Sequence, residues 1–120
     1  MNNKYGYLTF EIKDLVATIM VLNNKTEISI DDVYNLSQEL YYKMKDLNIL
    51  GSVMFSNVYL KDFALEYVDN FYVGENYISL RNGYDIDWII KNITSYISVD
   101  KLEFLGLINL ENSSETLVSI

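Results

Sequence analysis

Seventeen aspartates and glutamates and eleven tyrosines carry most of the chemistry open to this 120-residue chain. It has no cysteine and no histidine. Their absence removes a thiolate nucleophile, a Cys-based zinc site, a disulfide framework, the commonest general base and the usual pH switch. Any reaction would have to run on carboxylates, Lys, Tyr or Ser. Asp85-Ile86-Asp87 sets two carboxylates close together, an arrangement that a divalent cation uses. Asp31-Asp32 invites the same comparison. Both pairs fall where a helix is expected to begin, and an acid there caps the helix and complements its dipole, so capping is the expected role. A paired-carboxylate hydrolase needs two acids facing each other across a cleft, one with a raised pKa. Nothing resembles G-x-S-x-G, a P-loop, H-E-x-x-H or G-x-G-x-x-G. The chain is therefore read as non-catalytic, with no cofactor and no metal site. A small carboxylate- or metal-dependent enzyme is the third reading.

The placement of charge says more. The net charge is −8. Residues 1–61 hold six lysines against seven acids, a net of −1, and residues 62–120 hold Arg81, Lys91 and Lys101 against ten acids, a net of −7. A potential of that sign repels nucleic acid and attracts basic surfaces. Asp62, Glu66, Asp69, Glu75, Asp85 and Asp87 are the expected acidic face. With 57–70 read as a helix, Asp62, Glu66 and Asp69 lie on one side of it about 5–6 Å apart, near enough to the repeat of backbone phosphates to imitate them. Tyr41, Tyr42, Tyr59, Tyr72, Tyr77 and Tyr84 cannot all point inward. Tyrosine joins a large apolar ring to a polar tip and is enriched at protein interfaces. The expected partner-binding set is Asp62, Glu66, Asp69, Tyr72, Glu75, Tyr77, Tyr84, Asp85 and Asp87.

These residues predict an acidic binding protein that docks on a basic surface of a partner protein, a nucleic-acid-binding enzyme by the chemistry of that surface. Direct contact with nucleic acid is not expected. In composition the chain is similar to small acidic proteins of phages and mobile elements that block host defence nucleases, the anti-CRISPR and anti-restriction class. The second reading is an antitoxin or transcriptional regulator with a winged-helix-like core, working as a homodimer or paired with a basic toxin.

The elements that must carry these residues follow from periodicity. Val33, Leu36, Leu40, Met44 and Leu47 recur every three or four positions, which predicts an amphipathic helix over 29–47 with Ser29 as N-cap and the main core-anchoring stripe. Ile12, Leu15, Val16, Ile19 and Met20 predict a helix over 11–22, capped by Thr9 and ended by Asn23-Asn24. Residues 4–10 read as a strand or arm, 26–30 as a short extended piece and 49–55 as a buried strand. Asn57 is the expected cap of helix 57–70. In the hairpin at 71–80, a two-residue loop at Glu75-Asn76 sets Val73 opposite Ile78 and Phe71 opposite Leu80. Asn82-Gly83 is a turn, Asp85 caps a helix with a stripe at Ile86, Ile89, Ile90, Ile93 and Ile97, and Ser98 caps a last helix ending near Gly106. This predicts one α+β domain over 1–110, with four to five helices and a short antiparallel sheet, then a polar, mobile tail at 111–120. The order helix 11–22, strand, helix 30–47, helix 57–70, hairpin is winged-helix-like. Its third helix would, however, show DNA mainly acids, with Lys61 alone against them.

No apolar run approaches the ~20 residues of a membrane span, and the first residues lack the basic-then-apolar order of a secretory signal. With no cysteine, a cytoplasmic location is expected. Asn35-Leu36-Ser37 and Asn92-Ile93-Thr94 fit the glycosylation pattern but fall inside expected helices. The wealth of Asn, Ile, Lys and Tyr with no proline suggests AT-rich coding, as in a low-GC bacterium or its phages.

Overall fold

A computed structural model describes residues 6–106. The expected tail at 111–120 and the first residues of the expected arm at 4–10 lie outside them. Helix α1 (Ile12–Asn23) begins with a capping box. The Glu11 side chain accepts from the Asp14 backbone, and the Asp14 carboxylate accepts from the Glu11 N–H at 2.9 Å. Thr9, expected as the cap, belongs instead to strand β1 (Leu8–Phe10), whose Leu8 and Phe10 are buried. Asn24 ends α1 in the left-handed conformation at φ 49°.

Sequence periodicity gives α1 one apolar stripe, yet Ile12 and every residue from Asp14 to Met20 are buried. A helix enclosed on all sides is the centre of a core rather than its edge. Helices α2 (Ile30–Asp46), α3 (Asn57–Glu66) and α4 (Ile86–Asn92) all pack on α1. Helix α2, expected as the anchor, is a flank. Its Val33, Leu40 and Met44 are buried and Leu36 partly so, but Leu47 is its exposed C-cap. The Ser29 hydroxyl caps α2 as expected, accepting from the Asp32 N–H at 3.0 Å.

Strands β2 (Glu27–Ser29), β4 (Phe71–Val73) and β5 (Tyr77–Leu80) form an antiparallel sheet in the order β2-β5-β4. The hairpin has the expected register: Val73 pairs with Ile78, Phe71 pairs with Leu80, and the Gly74 N–H donates to the Tyr77 carbonyl at 2.8 Å across Glu75-Asn76. The succession α1, β2, α2, α3, β4, β5, with β2 alongside β5, keeps the winged-helix-like order. A parallel pair is added to it: β1 lies beside β3 (Gly51–Val53), with Leu8 opposite Gly51.

The remaining differences are local. Helix α3 ends at Glu66 rather than residue 70, because Phe71 must reach the sheet; Tyr67, Phe63 and Phe71 pack there with ring centroids 5.2–5.9 Å apart. Ser56, one residue before the expected Asn57, caps it. Helix α4 gives way to a single 3-10 turn at Thr94–Tyr96, which leaves Ile89 and Ile93 buried and Ile90 exposed. Ser98 and Gly106 bound α5 (Val99–Leu105) as expected.

Candidate functional site

The exposed side of α3 carries the acids with the clearest arrangement. Asp62 and Glu66, one turn apart, line a groove of about 220 Å³ with Glu11, Lys13, Met54, Tyr59 and the edge of Phe63. Because α3 stops at Glu66, Asp69 stands in the following turn rather than on the helix face that the 57–70 reading gave it. Asp62, Glu66 and Asp69 are exposed. Sequence reasoning missed the apolar residues among them: Val58 is 65% exposed and Leu65 75% exposed. Positions 58, 62 and 65 share one helical face, so a carboxylate lies between two bare apolar side chains. Two apolar residues on the acidic side of the helical wheel were the available signal.

The other candidates fall into separate groups. Tyr72 and Tyr77, diagonal neighbours across the hairpin, bring their rings to 5.6 Å, and the Arg81 guanidinium lies 5.6 Å from the Tyr72 ring. A Cβ at Gly74 would collide with the Tyr77 ring at 2.8 Å and crowd the Tyr72 ring at 3.2 Å. The Tyr77 hydroxyl is held above its ordinary pKa by desolvation, then by the adjacent Tyr72 hydroxyl and by Glu27. Glu75 is exposed at the hairpin tip, at the far end of β4 from Asp69. Tyr84 packs against Trp88 with ring centroids 5.1 Å apart. Asp85 accepts from the Trp88 N–H at 2.9 Å, which is a helix cap, and Asp87 is exposed in the first turn of α4. Among the described residues no three carboxylates converge in a metal-ligating cluster.

Counter-charge is scarce where these acids lie. The ion pairs among the described residues are Lys13–Glu11 at 3.8 Å and Lys101–Asp14 at 2.9 Å. Neither involves Asp62, Glu66, Asp69, Glu75, Asp85 or Asp87. Arg81 lies beside the turn that carries Asp69, where its Nε donates to the Val68 carbonyl at 2.8 Å, but it forms no ion pair there among the described residues.

Two further features go beyond the expected set, and the first borders the α3 groove. Where α1 begins, Lys13 meets Tyr67. Burial pulls the Lys13 ammonium down, but the charges of Tyr67, Glu11, Asp14 and Glu66 outweigh it, and Lys13 titrates above its ordinary value. Burial first, with Glu66, Glu11 and Asp14 adding to it against Lys13, holds the Tyr67 phenol up as well. The second feature is a larger groove, about 570 Å³, between α1, β2 and α2. No helix among the described residues is long and apolar enough to cross a membrane.

The chain matches no known protein family, no curated protein and no solved structure.

Proposed function

We propose that this protein is a non-catalytic binding protein whose exposed α3 face docks on a Lys/Arg-lined surface of a partner protein, one that ordinarily holds nucleic acid. The observation that carries the reading is the set of exposed acids on and after α3 that form no ion pair among the described residues and alternate with the bare side chains of Val58 and Leu65. Charge and apolar surface do different work at such an interface. Asp62, Glu66 and Asp69 steer the encounter and set the association rate, while Val58 and Leu65 slow dissociation once they are dry. A defence nuclease inhibited by occupation of its nucleic-acid channel, in the cytoplasm of a bacterium carrying a phage or mobile element, is the partner that best fits this chemistry.

The test is capture of partners from host lysate with the tagged full chain, eluted by rising salt. One nucleic-acid enzyme should be recovered and released as salt rises. The triple variant D62K/E66K/D69K should lose association with it, whereas V58A/L65A should mainly speed dissociation. Undiminished binding by a folded triple variant rules out the acidic face.

The succession α1, β2, α2, α3, β4, β5 supports a second reading, a regulator with a winged-helix-like core. In that reading Asp62 and Glu66 on α3 and Glu75 at the hairpin tip oppose phosphate contact. A gel shift on the protein's own upstream DNA at physiological salt would favour it over docking on a protein.

A further inference from the structure

We propose that the groove between α1, β2 and α2 is a second binding site, and that its occupant is a peptide segment of a partner protein carrying two Lys/Arg side chains with an apolar side chain between them. The site is distinct from the α3 face and does not rest on that reading. Its volume of about 570 Å³ falls within the ~300–1,000 Å³ of ordinary ligand sites. The apolar lining comes from both helices and the strand between them: Ile19 and Ile28 are buried, Leu36 is partly buried and Leu22 is 37% exposed. Those side chains give an apolar residue of the ligand somewhere dry to sit.

The rim sets the sign of the ligand. Glu27, Asp32 and Glu39 line the groove and are exposed, and among the described residues Lys25 is the one cation in the lining. None of the three acids forms an ion pair among the described residues. Asp32 and Glu39 are two turns apart on α2, about 10 Å along its axis. In a polyproline II segment, which has three residues per turn, the side chains of residues i and i+3 lie on one face about 9 Å apart. Cations at those positions of a threefold segment share a face and therefore reach the two α2 carboxylates, and a residue between them turns toward the apolar lining. A second copy of this chain is a poor occupant, because two molecules of net charge −8 repel. Tyr77 joins the same lining, which ties one of the exposed tyrosines to this groove instead of to the acids that follow α3.

The experiment is an amide chemical-shift titration of the full chain with a capped peptide, Gly-Lys-Leu-Leu-Arg-Gly, beside a version with Glu for Lys and Arg, and beside spermidine. The expected result is saturable shifts at Leu22, Glu27, Leu36, Glu39 and Tyr77 with the basic peptide alone. Affinity should fall about tenfold or more between about 0.05 and 0.3 M salt and in E27K/E39K. The D62K/E66K variant should bind the peptide as the parent does, which separates this site from the α3 face. Should the double reversal fail to fold, Glu39→Gln at an exposed position serves in its place, with a smaller loss. Shifts confined to α3, an equal response to the acidic peptide or to spermidine, or no shift at about millimolar peptide overturns the proposal.

Discussion

Asp14 is a carboxylate 1% exposed to solvent, and its position is tolerable because one carboxylate oxygen holds two hydrogen bonds, one of them from a cation. It accepts from the Glu11 N–H at 2.9 Å and from the Lys101 ammonium at 2.9 Å, while its own carbonyl accepts the Thr18 hydroxyl at 2.6 Å. Lys101 arrives from α5 and also lies 5.6 Å from the Phe10 ring. Removing the cation leaves a buried charge short of a partner, so Lys101→Met should cost about 1–3 kcal/mol. Urea denaturation checks this, and the Asp14→Asn/Lys101→Met double variant should lose less than the two single losses added. Strict additivity would mean the pair does not interact. In the sequence Asp14 looks like an ordinary first-turn acid and Lys101 like a surface lysine. The contact is invisible there, because what makes Asp14 unusual is burial of the polar side of α1, and that burial is supplied by elements far along the chain. The caps at Ser29, Asp85 and Ser98 were legible for the opposite reason: each side chain bonds a backbone N–H three residues on.

Between elements, the same division by distance along the chain holds. The Glu75-Asn76 hairpin could be registered from its own residues, since only a two-residue loop puts Phe71, Val73, Ile78 and Leu80 on one face. The pairing of β1 with β3 could not, because a parallel pair needs a long crossover and its strands carry no local mark of their partner. Gly51 is where that pairing is most demanding. A Cβ there would overlap the Leu8 carbonyl oxygen and come within 2.9 Å of the Met44 sulfur. Both neighbours are fixed, one by the β1–β3 ladder and the other by burial in α2. Gly51→Ala should therefore destabilise the protein by about 1–3 kcal/mol, the typical cost of overpacking a tight site, with loss of amide-exchange protection at Leu8–Phe10 and Gly51–Val53 ahead of the β2-β5-β4 sheet. Full protection of both strands in the variant would contradict this account. The end of α3 at Glu66 was hidden by a helical template that also fitted Tyr67, Val68 and Phe71; tertiary demand for Phe71 in the sheet overrode it.

For the molecule as a whole, the titrating groups whose pKa is displaced point the same way. Lys13, Tyr67 and Tyr77 all hold their protons more tightly in the folded chain. A raised folded-state pKa contributes stability that is complete below the ordinary value, about 10 for these groups, and is lost as pH rises through the folded value. Stability should thus be insensitive to these groups at neutral pH and decline on the alkaline side. Trp88 is a suitable reporter, packed against Phe71 at 6.1 Å and Tyr84 at 5.1 Å. Urea midpoints read from its fluorescence should fall above about pH 10, less steeply in Tyr67→Phe; a rise there would reverse the sign of the argument. Fold class was legible at this scale, since helix and strand periodicities add up along the chain. The centre of the core was not. Periodicity favours α2, whose contrast between faces is sharp, over α1, whose polar residues Asp14 and Thr18 disguise a helix enclosed all round. The burial of α1 also has a consequence for how the protein is made. A ribosome delivers α1 well before α4, which packs on it, and before α5, whose Lys101 pairs with Asp14. At ~5–20 residues per second, this largely apolar helix waits several seconds for its final cover, an interval in which the nascent chain exposes surface of the kind that chaperones bind.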